Sequence, residues 1–280
     1  VAGKKKMRKQ HPPKRLTIND FDKAFQQLTY MHNASDIFDH FLEYIILGWC
    51  ADGSEVWQHK DRYTQDETKK FFELFQVYVQ VMDGEVFDGS WYDLFGTYYE
   101  MFIVNSFKQK NRAQFFTPPH MCDMMAILNG CQAAKSKNAL IGDPACGSGR
   151  CLLAFFAGGG QGNYYAAEDL DRTCCLMTVV NFLMHGVDGE VIWHNSLDPD
   201  TYYYGWRVNR NLNNPFHRHF GIPHVQKLEK ENSAVWQSWQ AKKVEHLANV
   251  EKEKAETEIR LAAEERMKKK GTYSLLSFFD

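Results

Sequence analysis

The sequence predicts an α/β chain in three parts: helices over residues 17–110, an α/β unit over 111–225, and one long charged helix over 226–270. Three observations predict it. Apolar residues recur at helical spacing in four stretches before residue 110. The stretch 138–153 reads as a short apolar strand (Ala139, Leu140, Ile141), a glycine-bearing turn, and a helix starting near Arg150. Residues 226–270 are rich in Glu, Lys and Ala with only scattered apolar positions.

The first sixteen residues are basic. Lys4, Lys5, Lys6, Arg8, Lys9, Lys14 and Arg15 lie there, although the whole chain has a formal net charge of −2. Such a tail can bind nucleic acid phosphates, and a solvated, disordered end is the alternative. After Pro12 and Pro13, Thr17 and Asp20 offer capping residues to a first helix with Phe21, Ala24, Phe25 and Leu28 inward. Ser35 and Asp36 precede a second helix, whose apolar side is Ile37, Phe38, Phe41, Leu42, Ile45 and Ile46. Residues 51–63 read as a polar loop. A third helix over 66–82 carries Phe71, Phe72, Phe75 and Tyr78, and Asp83-Gly84 breaks it. A fourth, over 91–107, carries Leu94, Tyr98, Met101 and Phe102. These aromatic stripes read as core packing.

Pro118 and Pro119 close a polar-then-aromatic connection, and a helix over 120–129 follows. The glycine-bearing turn comes next. Asp143 stands at the carboxyl end of its strand, where open α/β sheets place ligands. Gly147 and Gly149 let the backbone turn sharply and let a ligand approach it. A loop of this kind before a helix N-terminus points to a nucleotide or nucleoside cofactor. It is not the dinucleotide fingerprint, and it lacks the Lys-Ser/Thr ending of a phosphate-cradling loop. Its opening carboxylate suits a cofactor with a cationic group. A second strand over 163–168 ends in Glu168, 25 residues after Asp143, where a carboxylate can accept both ribose hydroxyls. Asp169 and Asp171 compete for that role, since the run Ala-Glu-Asp-Leu-Asp leaves the register open. A helix over 172–185 and a third strand over 191–193 complete the readable unit.

Asp143-Pro-Ala-Cys-Gly-Ser-Gly149 resembles the S-adenosylmethionine loop of N6-adenine DNA methyltransferases, specifically the modification subunits of type I restriction systems. Ala113-Gln-Phe-Phe-Thr-Pro118 is similar to that family's Gly-Gln-Phe-Phe/Tyr-Thr-Pro motif, and Leu94-Phe-Gly-Thr-Tyr-Tyr-Glu100 to its Gly-x-x-Tyr-Glu segment. The resemblance covers roughly residues 90–200. It implies a Rossmann-like methyltransferase core, S-adenosylmethionine as cofactor, and methyl transfer to adenine N6 in DNA as in restriction-modification. DNA and a specificity subunit or other protein are the partners it implies. In this reading Asp143, Ala145, Gly147 and Gly149 line the methionine end of the cofactor. Glu168, with Asp169 as its competitor, takes the ribose, and Phe115, Phe116, Thr117 and Pro118 close the site. His194-Asn195-Ser196-Leu197 stands where the family has Gly-Asp-Ser-Leu. Asn195 can still accept a hydrogen bond from the cofactor's adenine amino group, without charge.

Two departures accompany the resemblance. The family's Asn-Pro-Pro-Phe/Tyr signature holds a flipped adenine through amide and carbonyl acceptors and stacks an aromatic ring on it. Here the nearest stretch is Asn213-Asn214-Pro215-Phe216, a degenerate signature or a coincidence, with Asn213, Pro215 and Phe216 as the catalytic candidates. Residues 204–212 before it do not read as a buried apolar strand, and no further strands follow, so the core reads as truncated. The alternative function is therefore a catalytically deficient cofactor-binding or DNA-associated module acting through partners. A small-molecule methyltransferase fits the glycine loop but leaves Phe-Phe-Thr-Pro unexplained.

In the long helix Trp236 and Trp239 read as docking its start. Val244, Leu247, Val250, Ile259 and Leu261 form a patchy seam, fitting a coiled coil or a solvated arm. At the end, Leu276-Ser-Phe-Phe279 resembles peptides that dock into bacterial sliding clamps, without their leading glutamine. The seven cysteines lack paired zinc spacing and read as free buried thiols of a reducing cytosol, with no metal. The longest apolar run, 44–50, is too short to span a bilayer, and no signal peptide is visible. A soluble cytoplasmic protein is the expectation.

Overall fold

The computed structural model describes residues 15–50, 53, 57–86, 90–103, 115–134, 138–198 and 200–276. The basic tail before Arg15, Ala113-Gln114 and the clamp-like residues 277–279 lie outside them. The chain forms two compact units, one up to Lys230 and one from Glu231.

The first unit begins with helices α1 (Ile18–Thr29), α2 (Ala34–Gly48) and α3 (Gln65–Glu85). At α1 the capping residues read from the sequence act as caps, Asp20 accepting the Thr17 N–H. At α2, Ser35 and Asp36 lie inside the first turn and Asn33 is the cap, accepting the Ser35 N–H. Thr64 and Glu67 cap α3 reciprocally. Helix α3 runs through Gly84 instead of stopping before it. A glycine costs a helix at most about 1 kcal/mol, and Phe71, Leu74, Tyr78, Val81 and Met82 anchor the inward face up to that last turn. Phe72, expected inward, is half-exposed.

Within the expected fourth helix the described residues form α4 (Leu94–Tyr98), continued by a π turn over Tyr99–Ile103, and 104–107 lie outside the described residues. Its start is set by Asp93, whose carboxylate accepts the Gly96 N–H. Edge-to-face rings build the core here. Phe21 meets Tyr98 at 5.0 Å and 83°, and Phe95 meets Phe21 and Phe38 in the same manner. That core is continuous with the one beneath the sheet.

After α5 (Pro119–Leu128) comes a five-stranded sheet in the order β1-β2-β3-β4-β5. Strands β1 (Leu140–Asp143), β2 (Tyr164–Asp169) and β3 (Gly189–Trp193) are parallel. They are linked by α6 (Arg150–Phe155) and by α7 (Arg172–His185), in which every residue from Cys174 to Leu183 is buried. Among the described residues, β1 has no strand on its outer side.

Two further strands correct the sequence reading. Tyr204–Val208 is β4, antiparallel to β3, and Val225–Lys227 is β5. Trp206 and Val208 are buried as an alternating strand requires. Arg207 points to the other side, over the Tyr164 ring at 4.1 Å and within 4.0 Å of the buried Glu190 carboxylate. Gly205 and Arg207 conceal a strand that these partners stabilise.

In the second unit the long helix, α8 (Ala234–Leu276), starts later than expected because residues 225–227 belong to the sheet. Ser233 caps it through the Trp236 N–H. The Trp236 and Trp239 rings stack at 5.5 Å, and Lys243 lies over Trp239. Val244, Leu247, Ile259 and Leu261 are exposed. No described helix is long and apolar enough to cross a membrane.

Candidate functional site

Because β1, β2 and β3 run side by side in one direction, their carboxyl ends bring Asp143, Glu168 and His194 together. Asp143 accepts the Ala145 N–H at 3.1 Å, which fixes its carboxylate over the turn. Burial pushes the Asp143 pKa up, and the neighbouring Glu168 charge pushes the same way. Glu168 Oε2 and His194 Nε2 are 2.7 Å apart, with side chains 13% and 4% exposed.

The three competing acids have separate tasks. Asp171 caps α7 by accepting the Thr173 N–H. Asp169 accepts the Gly147 N–H at 2.9 Å and the Asp171 N–H at 2.8 Å, so both its oxygens serve backbone amides. Asp169 thus ties the glycine loop to β2, and Glu168 pairs with His194 instead.

Gly147 has φ +55°, and a Cβ there would lie 2.8 Å from the Phe116 ring. The aromatic motif therefore packs on the loop through Phe116. The Phe116 N–H also donates to Glu100 at 2.9 Å. The Thr117 carbonyl accepts from Arg150 and from the Cys122 thiol. Phe115 is 87% exposed, and the exposed Pro118 caps α5. Of the four motif residues, Phe116 and Thr117 reach the loop.

Behind the loop lies a buried polar network of which the sequence reading named only the Glu100 segment. Asp93, 2% exposed, accepts from Arg150 Nε at 2.6 Å, Ser148 Oγ at 2.6 Å, Asn181 Nδ2 at 2.9 Å and the Gly96 N–H at 2.8 Å. Arg150 Nη2 also meets Glu100 at 2.9 Å. Burial opposes the guanidinium charge, but the two carboxylates outweigh it and hold the Arg150 pKa above its usual value. A Cβ on Gly96 would sit 2.0 Å from the Asp93 carboxylate, which explains a glycine inside α4. The one signal available was Glu100 in the Leu94–Glu100 resemblance. Its Arg150 partner stands 50 residues away in the chain.

After β3, Asn195 Oδ1 accepts the Leu197 N–H at 3.1 Å, a local turn that aims the amide. Ser196 is half-buried and Leu197 is 93% exposed.

Asn213, Pro215 and Phe216 are not at this site. They occupy exposed turns between β4 and β5. Since β4 is antiparallel to β3, its end lies beside the start of β3, where the Asn211 N–H donates to Asp188. This is the opposite end of the sheet from Asp143 and Glu168, so the catalytic assignment is corrected. The residue in the place of the first proline, Asn214, accepts the Phe216 N–H and makes a local turn.

No disulfide links the seven cysteines, and Cys50 and Cys151 are only half-buried. Cys122 on α5 and Cys151 on α6 approach to 3.6 Å beside Thr117. The contact with Cys122 pulls the Cys151 pKa down and raises that of Cys122. The thiolate is the reactive form. Cys151 is therefore expected to be alkylated by iodoacetamide ahead of the buried cysteines, and at lower pH than an ordinary thiol. The Cys122→Ala variant should move that onset to higher pH, as read by peptide mass spectrometry between about pH 6 and 9, a range that includes the free-thiol pKa of about 8.5.

The N-6 DNA methylase family model matches residues 90–277, two thirds of the chain and the whole of this site. The chain belongs to the N-6 DNA methylase family. Comparison with curated proteins gives no match. Among solved structures, a protein described as a class I S-adenosylmethionine-dependent methyltransferase from Listeria monocytogenes aligns at 17% identity and TM-score 0.35, over 63% of this chain and 55% of that one. The methyltransferase subunit of a type I restriction-modification system from Streptococcus thermophilus aligns at 16% identity and TM-score 0.33, over 61% and 34%. The N-6 DNA methylase chain thus spans about half and one third of these two proteins.

Proposed function

We propose that the chain binds S-adenosylmethionine at the ends of β1–β3 and serves methyl transfer to adenine N6 in DNA. The observation that carries this reading is the pair of carboxylates on adjacent strand ends, Asp143 and Glu168, beside a glycine loop seated against Phe116. The donor set fits the cofactor. Asp143 can accept from its ammonium group, and Glu168, with Oε2 held by His194, can offer Oε1 to a ribose hydroxyl. Asn195 is placed to meet the adenine, and Phe116 and Thr117 to wall off the methionine end. Ala145, Gly147 and Gly149 supply loop backbone, while Ser196 and Leu197 continue the turn after β3. When bound, the cofactor supplies an electrophilic methyl group on a sulfonium. The protein's task is then to position that group and exclude water. DNA is the proposed substrate, a specificity subunit a proposed partner, and the cytoplasm the proposed location.

A second reading has one observation in its favour: Asn213, Pro215 and Phe216 face the wrong end of the sheet. In it, the chain is the cofactor-binding part of a site whose base-holding residues a partner contributes. Quantifying N6-methyladenine in unmethylated DNA incubated with the protein and cofactor decides between them. Methylation that disappears in Asp143→Ala and persists in Asn213→Ala supports the first reading. Intact cofactor binding without methylation favours the second.

A further inference from the structure

A cavity of about 580 Å³ opens on one face of the sheet, bordered by α2 and the start of α7. Its floor follows from register. Trp193 pairs with Tyr204, Val191 with Trp206, and Trp206 with Lys227. Residues paired or two apart share a face, so Trp193, Tyr204, Trp206 and Lys227 line one side together. Tyr204 and Trp206 are 4.7 Å apart between ring centroids. Two cations flank these rings. Arg172, first residue of α7, lies 5.9 Å from the Trp193 ring, and Lys227 lies 6.0 Å from that of Tyr204. Ile46 and Leu47 of α2 form the apolar roof.

The volume lies within the range of small-molecule sites, roughly 300–1,000 Å³. Two half-buried rings, Trp193 and Tyr204, backed by the buried Trp206, form a stacking platform, which every base can use because each has a π-face. Arg172 is held by Glu43 at 2.7 Å. Lys227 pairs with Glu229 in a half-exposed contact that constrains it weakly. The run Thr201-Tyr-Tyr-Tyr-Gly-Trp206 that supplies two of the rings has no part in the cofactor site.

We propose that this cavity binds a nucleobase together with its phosphate, the base stacked on the aromatic floor and the phosphate met by Lys227 and Arg172. Two sources share this chemistry, a free mononucleotide and an unpaired base within a single strand. The inference stands apart from the cofactor site.

The test uses thymidine monophosphate and hexathymidylate, pyrimidine ligands without the adenine that the cofactor site is proposed to recognise, with quenching of tryptophan fluorescence as readout. Saturable binding is expected, weakened about tenfold or more by Tyr204→Leu and by Lys227→Ala, and unchanged by Asp143→Ala. Lys227 is half-exposed, so its variant tests binding without touching the core. Equal affinity for the two ligands assigns the site to free nucleotides, and much tighter binding of the hexamer assigns it to single strands. The proposal is overturned if neither ligand saturates, if both variants bind like the parent, or if Asp143→Ala abolishes binding.

Discussion

The Asp93→Ala variant is expected to lose about 3–5 kcal/mol of stability, the usual cost of breaking a buried ion pair on one side. Asp93 is 2% exposed and takes hydrogen bonds from Arg150, Ser148, Asn181 and the Gly96 N–H. Removing it leaves the buried Arg150 guanidinium with Glu100, itself 30% exposed, as its remaining carboxylate partner. It also strips α4 of its cap. Most of the loss belongs to the stranded charge rather than to the pair itself. Adding Arg150→Met should therefore recover part of it, which a double-mutant cycle by urea denaturation would read. A loss below about 1 kcal/mol in Asp93→Ala would mean that water or a rearranged Glu100 takes over the guanidinium.

A comparably large effect is expected at Gly147, on binding more than on stability. Its φ of +55° is one that a β-branched residue scarcely adopts, and the space a Cβ would fill belongs to the Phe116 ring at 2.8 Å. Gly147→Val should drive Phe116 off the loop and disturb the N–H donated to Asp169. Strain of this kind costs about 1–3 kcal/mol. The aromatic core of α1–α4 does not depend on it and should stay folded. The expected result is a modest fall in melting temperature with S-adenosylmethionine affinity lower by at least about tenfold, since 1.4 kcal/mol is a factor of ten. Unchanged affinity would remove the glycine loop from the site.

The parts of the fold legible in the sequence are those governed by local rules. Thr17 and Asp20 cap the first helix, and the spacing of Phe21, Phe25 and Leu28 or of Ile37, Phe38 and Phe41 identifies the inward faces of the first two. Hydrogen bonding gives Glu168, Asp169 and Asp171 different partners. One residue of register decides which carboxylate reaches Gly147, and sequence spacing does not resolve one residue. Strand β4 was missed because Gly205 and Arg207 interrupt the apolar pattern, and because what accommodates Arg207 is Tyr164 and Glu190 on other strands. Strand direction likewise is no property of Asn213 to Phe216. The reversal of β4 against β3 carries them to the far end of the sheet whatever their identity. The Asp93 network joins residues from 93 to 181, and nothing local in the chain marks Asp93 or Asn181 as its members.

The most direct test is a calorimetric titration of the whole chain with S-adenosylmethionine, beside Asp143→Ala. Saturable binding lost in the variant is predicted, along with weakening as pH falls. Burial and Glu168 raise the Asp143 pKa, so this carboxylate gains its proton, and loses its attraction for an ammonium group, at a higher pH than an ordinary aspartate. Absence of binding to the parent chain, or equal binding to parent and variant, would contradict a cofactor site at the ends of β1–β3.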